Sequence, residues 1–450
     1  IKRWKRGTPL SAATVVFEGQ KTDVSAWASV DLTPGHERVW VGRSPDFYTT
    51  EAFLWQDGRL QKIDKPLDAS LAFHKEWALL TLRSALTPAG GAAIPAGSLV
   101  VAKAADLQAG RARWRAVFTP SATVALSGYT WTRDRLLLNL LDNVAGRIEE
   151  LTPSADGEWA RRAVKAPHPG TLSLASLHDP MRRDDPLGDH YLVNYADYLT
   201  PDSLMLMRTG RDGQEVLKQR SRIFDATGMS VEQRFATSAD GTRVPYFLVW
   251  PRGARRDAPN PTLLYGYGGF QVSMRPGYSG GWGKGWLERG GVLVVANIRG
   301  GGEFGPSWHQ AAVKANKQRS YDDFIAVAED LIRSGVTAPR HLGIMGGSNG
   351  GLLVGATFTQ RPDLFNAVVC QVPLLDMKRY HTLLAGASWM AEYGNPDTDD
   401  WNFLKAYSPY QNVRADGNYP PVLFTTSTRD DRVHPGHARK MMARMAEQGH

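Results

Sequence analysis

Hydrophobic and polar positions follow two different patterns along the chain. Up to about residue 225, short apolar or alternating runs recur irregularly, at intervals near ~50 residues, which is the size of a propeller blade. The clearest runs lie at residues 38–41, 77–82, 135–140 and 190–195. Hairpin signals lie between strands at Asp57-Gly58, Asp156-Gly157 and Asp212-Gly213. The pattern predicts a partial all-β propeller of about four blades over residues 1–225, with a pair of β-sandwiches as the alternative.

From about residue 228, apolar runs alternate with longer amphipathic segments. The runs lie at residues 246–250, 262–265, 292–296, 342–345, 367–372 and 422–425. Helical patterns lie between them, for example at residues 321–333 and 350–360. Near-continuous apolar strands are typical of a sheet that is covered on both faces. Residues 228–450 are therefore predicted to form an α/β domain with a mostly parallel sheet, whose ligands bind at the carboxyl ends of the strands.

One segment of this second part carries a chemical signature. The apolar run at residues 342–345 leads into Gly346-Gly347-Ser348-Asn349-Gly350, and a helical pattern follows. A G-x-S-x-G sequence between a strand and a helix is typical of a nucleophile elbow. Free N–H groups at the start of that helix suit a developing oxyanion. Ser348 is therefore predicted to be the nucleophile of an acyl-transfer hydrolase.

A second match to the same pentapeptide centres on Ser279. It follows Arg275-Pro276, which disfavours an entering strand, and residues 282–285 after it are interpreted as loop. Context therefore favours Ser348 over Ser279.

Composition narrows the class of protein. With 450 residues, 42% apolar and 22% charged, the chain is typical of a globular protein of more than one domain. The net charge of +8 is spread along the sequence, so a solvated surface is favoured over a nucleic-acid site. The single cysteine, Cys370, lies in an apolar run and is interpreted as a core thiol. No apolar stretch is long enough for a membrane span.

A serine nucleophile needs a general base and an orienting acid, which follow in the order Ser, Asp, His in α/β-hydrolases. Asp430, at the end of the strand predicted at residues 421–428, is the preferred acid. Asp431 is the alternative, because the sequence does not say which carboxylate points inward. Asp376, after the preceding strand, is a further and weaker candidate.

The base is not evident. After Asp430 the chain holds His434, His437 and His450, and each is interpreted as a surface histidine in an unsuitable position. The catalytic histidine is expected beyond His450.

Together these motifs resemble those of the prolyl oligopeptidase family of serine peptidases. The matching segments lie in order at residues 265–270, 296–305, 315–318, 322–324, 346–351 and 430–433. They span nearly all of residues 228–450, whereas the propeller half matches more loosely. Because the family has further residues before and after the matched region, we expect the chain to be an internal portion of a longer peptidase.

The resemblance implies a role for individual residues. Tyr267 and the backbone N–H of Asn349 would form the oxyanion hole. Arg432 would hold a substrate carbonyl. Trp389 would stack on the proline before the cleaved bond, and Phe270, Tyr393 and Val433 would complete that pocket. An aromatic face is a suitable receptor for a flat, apolar proline ring.

The family implies an oligopeptidase that cleaves short peptides on the carboxyl side of proline, without a cofactor or metal. We expect a monomer that binds neither nucleic acid nor membrane, and the sequence leaves a cytoplasmic or a periplasmic location open.

A general esterase or an oligopeptidase with another preference is the alternative among hydrolases. A scaffold without activity would explain only the propeller. A dinucleotide-dependent oxidoreductase would explain Gly300, Gly302 and Gly305, but Asp322 and Asp323 lie in a helical pattern where that fold needs a strand end.

Overall fold

The computed structural model of the chain describes residues 1–154, 158–182 and 184–450. The first part forms four antiparallel sheets of four strands each, the blades of a partial propeller. A small antiparallel pair, β1 (Lys2–Arg3) and β2 (Thr14–Val15), precedes them. The blades comprise β3 (Ser25–Asp31), β4 (Arg38–Ser44), β5 (Glu51–Gln56) and β6 (Arg59–Lys62); β7 (Ser70–His74), β8 (Trp77–Thr81), β9 (Leu99–Lys103) and β10 (Arg115–Phe118); β11 (Val124–Trp131), β12 (Leu136–Asp142), β13 (Ala145–Thr152) and β14 (Ala160–Val164); and β15 (Thr171–Ser176), β16 (His190–Ala196), β17 (Ser203–Arg208) and β18 (Gln214–Gln219).

The four runs that the sequence singled out are the second strands of the four blades: β4, β8, β12 and β16. These strands have a neighbour on each side, and in β12 every residue from Leu136 to Leu141 is buried. Burial on both faces explains the continuous apolar run of β12. The prediction of a partial propeller is therefore confirmed, and the β-sandwich alternative is wrong.

The hairpin signals lie in connections between paired strands where the structure describes them. Asp57 and Gly58 join β5 to β6 with φ values of 49° and 77°. Two consecutive left-handed residues are what a tight hairpin with the right twist needs, and Asp-Gly tolerates them well. Asp212-Gly213 lies between β17 and β18. Asp156-Gly157 lies outside the described residues.

The second part is built on a sheet of seven strands. They are β19 (Ser230–Thr237), β20 (Arg243–Trp250), β21 (Thr262–Tyr265), β22 (Val292–Ala296), β23 (Leu342–Gly347), β24 (Ala367–Gln371) and β25 (Val422–Thr425), in the spatial order β19-β20-β22-β21-β23-β24-β25. The five strands from β22 to β25 pair in parallel, and β19 and β20 are antiparallel. The predicted α/β-hydrolase domain with a mostly parallel sheet is confirmed.

The division at residues 225 and 228 stays a prediction, although β18 ends at Gln219 and β19 begins at Ser230. All six predicted strands of the sheet exist, but β19 was not predicted. It is an edge strand in which Ser230 and Val231 are exposed, so it lacks the apolar run on which the prediction depended.

The propeller contains one short α-helix among the described residues, α1 (Ala104–Gln108). The helices of the second part connect the strands of its sheet or follow the last of them. They are α2 (Gly280–Gly285), α3 (Pro306–Gln310), α4 (Gln318–Arg333), α5 (Asn349–Gln360), α6 (Met390–Tyr393), α7 (Trp401–Tyr407), α8 (Pro409–Asn412) and α9 (Gly436–Glu447). Short 3-10 turns lie at Leu10–Ala12, Leu287–Arg289, Lys314–Asn316, Pro339–His341, Pro362–Leu364, Tyr380–Thr382 and Leu384–Trp389. Within the described ranges, no helix is both long enough and apolar enough to cross a membrane.

The interpretation of residues 282–285 as loop is wrong, because they lie in α2. Ser279 caps this helix, and its hydroxyl accepts a hydrogen bond from the N–H of Trp282. A Cβ at Gly283 would lie 1.9 Å from the ring of Phe224, so glycine is needed for close packing rather than for a loop. Ser279 thus starts a helix, but no strand leads into it.

Candidate active site

The elbow predicted around Ser348 is present. β23 ends at Gly347, Ser348 has φ 58° and ψ −117°, and α5 begins at Asn349. The backbone N–H of Ser348 donates to the carbonyl of Gln371 on the neighbouring strand at 3.0 Å. A left-handed backbone costs a serine on the order of 1–3 kcal/mol and persists only where its surroundings hold it. The turn therefore lifts Ser348, half-buried, to the carboxyl edge of the sheet.

Steric contact explains the glycines around Ser348. A Cβ at Gly346 would lie 2.1 Å from the carbonyl oxygen of Gly350, and one at Gly351 would lie 2.6 Å from Cβ of Pro373. Side chains at either position would push the first turn of α5 away from the sheet. The sequence G-x-S-x-G-G is thus a consequence of how closely strand, turn and helix pack.

Tyr267 faces the elbow serine. It follows β21, the strand next to β23, and its phenol lies close enough to the Ser348 hydroxyl to interact with it. Burial raises the pKa of Tyr267, although the nearby Ser348 hydroxyl and the charge of Arg432 act against the rise. The phenol therefore stays protonated at neutral pH and can donate to an anion beside Ser348.

The side chain of Asn349 joins Tyr267 to the aromatic residues. Its Nδ2 donates to the backbone carbonyl of Tyr267 at 2.5 Å, and its Oδ1 accepts from the hydroxyl of Tyr393 at 2.7 Å. Asn349 is buried, so each of these polar atoms needs its partner. The side chain holds three segments together and leaves its backbone N–H at the start of α5.

The residues predicted to line the pocket belong to the hydrophobic core of the second domain or pack against it. Trp389, Tyr393 and Val433 are buried in this core, and Phe270 packs against it. We call the three aromatic residues Trp389, Phe270 and Tyr393 the aromatic cluster. The rings of Phe270 and Tyr393 meet edge to face with centroids 5.6 Å apart. The carbonyl of Arg432 accepts from the N–H of Ala385 at 3.3 Å, which joins the Arg432 loop to the segment that carries Trp389.

The candidate acids differ in their surroundings. Asp430 is half-buried, and its Oδ1 accepts from the N–H groups of Arg432 and Val433 at 3.0 and 2.8 Å. Asp431 is exposed. Asp376 is buried, and its carboxylate is bound by Lys440, Arg379 and Gln411. These contacts favour Asp430, because its carboxylate is ordered by its own loop while Asp376 is neutralised by two cations.

The three histidines after Asp430 have structural partners. Nδ1 of His434 accepts from the N–H of Gly436 at 2.9 Å, and Nε2 of His450 lies 2.8 Å from the carbonyl oxygen of Arg414. The interpretation of His437 as a surface residue is wrong, since it is 2% exposed. Its Nδ1 accepts from the N–H groups of Leu375 and Asp376 at 3.2 and 3.1 Å. Its ring therefore satisfies the backbone beyond β24.

The structure adds a buried polar group that sequence reasoning missed. Glu392 lies in α6 between Trp389 and Tyr393, and its side chain is 0% exposed. It contacts Lys317 and His309 of the same domain and Tyr48 of the propeller. The sequence contains two signals for this group. Glu392 is a charged residue within the otherwise apolar segment 389–393, and Lys317 lies in a segment that resembles the family but was given no role.

Gly300 and Gly302 serve close packing between loops. A Cβ at Gly300 would lie 2.3 Å from the carbonyl oxygen of Gly268, and one at Gly302 equally close to that of Gln271. Asp323 is buried in an ion pair with Arg299 at 2.7 Å, so its carboxylate is not available to a ribose. These contacts argue against a dinucleotide site. The described ranges contain no cluster of three or more His, Cys, Asp or Glu residues placed to hold a metal ion.

Comparison with known proteins agrees with this arrangement. The profile described as the prolyl oligopeptidase family matches residues 278–450. An uncharacterised peptidase of Sinorhizobium fredii is 44% identical over 455 aligned residues, which cover 99% of this chain and 62% of that protein. A prolyl endopeptidase of Elizabethkingia meningoseptica is 41% identical over 249 residues, 55% of this chain and 35% of that protein.

A solved structure extends the similarity to the whole fold. The structure of a post-proline cleaving enzyme from Rickettsia typhi superposes with a TM-score of 0.92 at 36% identity, covering 100% of this chain and 65% of that one. The chain therefore spans less than two thirds of the length of the Sinorhizobium and Rickettsia proteins.

Proposed function

Because the chain belongs to the prolyl oligopeptidase family, we propose that the full-length protein is a serine peptidase that cleaves short peptides on the carboxyl side of proline. The observation that carries the proposal is the pairing of the Ser348 elbow with the Tyr267 phenol, beside a cluster of aromatic side chains. A nucleophile and an oxyanion donor on adjacent parallel strands suit acyl transfer, and the aromatic cluster suits a proline ring.

In the proposed reaction, the Ser348 oxygen attacks the carbonyl carbon of the scissile peptide bond while its proton passes to a general base. The carbonyl oxygen becomes an anion and accepts hydrogen bonds from Tyr267 and from the backbone N–H of Asn349. The base then protonates the leaving amine, the C–N bond breaks, and an ester to Ser348 remains. Water, deprotonated by the same base, hydrolyses this ester and restores the serine.

Specificity would come from the residues around the elbow. Trp389, Phe270, Tyr393 and Val433 would enclose the proline ring, and Arg432 would donate to a backbone carbonyl of the substrate. The edge-to-face contact of Phe270 with Tyr393 supports this assignment, and the charge of Arg432 acts to lower the pKa of Tyr267. A guanidinium is suited to this role, because it presents several fixed donors and no acceptor.

We assign the orientation of the base to Asp430 and the base itself to a histidine outside residues 1–450. The ordered carboxylate of Asp430 supports the first assignment. The second is supported by His434, His437 and His450, each of which has a ring nitrogen within hydrogen-bonding distance of a backbone group.

Labelling with a fluorophosphonate tests the nucleophile, with the chain's other G-x-S-x-G serine as a matched control. Peptide mapping of the labelled full-length protein should place the adduct on Ser348. Ser348→Ala should lose both the label and peptide cleavage, while Ser279→Ala should keep both. An adduct elsewhere, or an active Ser348→Ala, would overturn the assignment. Labelling of Ser348 without cleavage of any peptide would favour an esterase.

A further inference from the structure

The carboxylate of Glu392 is a point where the two domains meet. Its Oε2 accepts from Nε2 of His309 at 2.7 Å and from the hydroxyl of Tyr48, which lies in the propeller between β4 and β5. Its Oε1 accepts from Nζ of Lys317 at 2.9 Å and from the backbone N–H of Phe270 at 3.1 Å. One buried side chain therefore contacts both the propeller and the wall of the aromatic cluster.

Glu392 carries a negative charge in a buried position, so its charge must be balanced by its neighbours. Burial alone would raise the pKa of Glu392, but the charge of Lys317 and the hydrogen bond from His309 outweigh it and hold the pKa well below its usual range. Lys317 is 1% exposed, and its Nζ also donates to the carbonyl of Gly268 at 2.9 Å. A buried ion pair is stable only when its remaining donors and acceptors are satisfied. Each partner of Glu392 is thus needed to keep the charge in place.

A second propeller residue completes the contact. The guanidinium of Arg83 donates to Nδ1 of His309 at 2.7 Å, and because it can only donate, Nδ1 is an acceptor and the ring proton lies on Nε2. Burial lowers the pKa of His309, which agrees with a neutral ring. Arg83 also lies over the ring of Tyr48, with its guanidinium carbon 3.8 Å from the ring centroid. The propeller therefore fixes the tautomer with which His309 binds Glu392.

The same residues, Glu392 and Arg83, also bind the loop at residues 267–271. Phe270 and Gln271 have φ values of 55° and 58°, a strained conformation for residues other than glycine. Glu392 holds the N–H of Phe270, and Arg83 donates to Oε1 of Gln271 at 2.5 Å. The propeller residue Phe47 packs on the Phe270 ring with centroids 5.2 Å apart. The strained loop is therefore held from both domains.

We propose that Glu392 is a positioning residue that couples docking of the propeller, through Tyr48, to the conformation of the 267–271 loop. When the domains are docked, the loop holds Tyr267 against Ser348 and Phe270 against Tyr393. When they separate, Glu392 loses Tyr48, the loop relaxes, and both the oxyanion donor and the pocket wall move. This inference rests on the proposed function, since it gives the loop its catalytic consequence.

The test uses the full-length protein with Tyr48→Phe, which removes one donor to Glu392 and leaves Lys317 to neutralise it. Tyr191→Phe is the matched control, because Tyr191 is buried within a blade and its hydroxyl lacks a hydrogen-bond partner among the described residues. Arg83→Gln removes the second propeller contact and serves as an independent variant. Two quantities are measured: amide hydrogen exchange over residues 266–274, and kcat/KM on a fluorogenic proline peptide.

We expect Tyr48→Phe and Arg83→Gln to raise exchange at the 267–271 loop and to lower kcat/KM about tenfold, the scale of a small misplacement of catalytic groups. Tyr191→Phe should change neither quantity. The proposal is overturned if Tyr48→Phe exchanges like Tyr191→Phe, whatever its activity. If the wild-type protein does not cleave the proline peptide, the proposed function fails, while faster exchange confined to the two interface variants still supports the coupling.

Discussion

The hydroxyl of Tyr393 donates a 2.7 Å hydrogen bond to Oδ1 of Asn349, the residue that follows the elbow serine. Both residues are buried, so removal of the hydroxyl leaves an acceptor of Asn349 without a partner. Tyr393→Phe should therefore lower the free energy of unfolding by about 1–3 kcal/mol, measured by urea denaturation.

Tyr407→Phe is the control for that variant. Tyr407 is also buried, and its hydroxyl has no hydrogen-bond partner in the part of the chain that the structure describes. Loss of this hydroxyl should cost much less. Equal destabilisation by the two substitutions would contradict the role given to the bond between Tyr393 and Asn349.

Tyr267→Phe tests the oxyanion donor. Its hydroxyl is expected to bind strongly only when the carbonyl oxygen has become an anion, so kcat should fall by ~10²–10³ with little change in KM. Steady-state kinetics of the full-length protein on a proline peptide measure both constants. An unchanged kcat, or an effect on KM alone, would remove Tyr267 from this role.

Trp389→Ala tests the pocket. Trp389 is 9% exposed within the aromatic cluster, and its loss should reduce transition-state binding of proline peptides by ~1–3 kcal/mol. Peptides with alanine in place of proline should lose less, since a methyl group makes fewer contacts. The ratio of kcat/KM values for the two peptides is the measurement, and an unchanged ratio would contradict the assignment.

His437 predicts a pH dependence of stability. Burial lowers its pKa to about 4. A protonated Nδ1 would also be unable to accept from the two backbone N–H groups it faces. An unfolded histidine titrates near ~6.5, so the unfolded chain binds more protons between these values. This contribution is present above about pH 6.5 and is lost as pH falls toward 4. His437→Asn keeps an acceptor without titrating.

Denaturation of both proteins at several pH values measures this effect. The free energy of unfolding of wild type minus that of His437→Asn should decrease between pH 7 and pH 5. A difference that does not vary with pH would show that His437 does not titrate in this range.

The sequence predicted those features that depend on local patterns. Continuous apolar runs identified the second strand of each blade and six of the seven strands of the sheet, and the glycines around Ser348 identified the elbow. The edge strand β19 was not predicted, because several of its residues are exposed and it has no continuous apolar run. The helix α2 was not predicted, because four of its six residues are glycine, which is typical of a loop. Glu392, His309 and Tyr48 were not predicted either, since residues far apart in sequence form this group only when the domains pack together.

We propose that the full-length protein is a serine peptidase that prefers proline, and its kinetics on a matched pair of peptides can decide this. The measurement is kcat/KM on two fluorogenic peptides that differ only in proline or alanine before the cleaved bond, for wild type and for Ser348→Ala. We expect about 10–10²-fold preference for proline in the wild type and no cleavage of either peptide by the variant. Equal cleavage of both peptides, or cleavage by Ser348→Ala, would contradict the proposal.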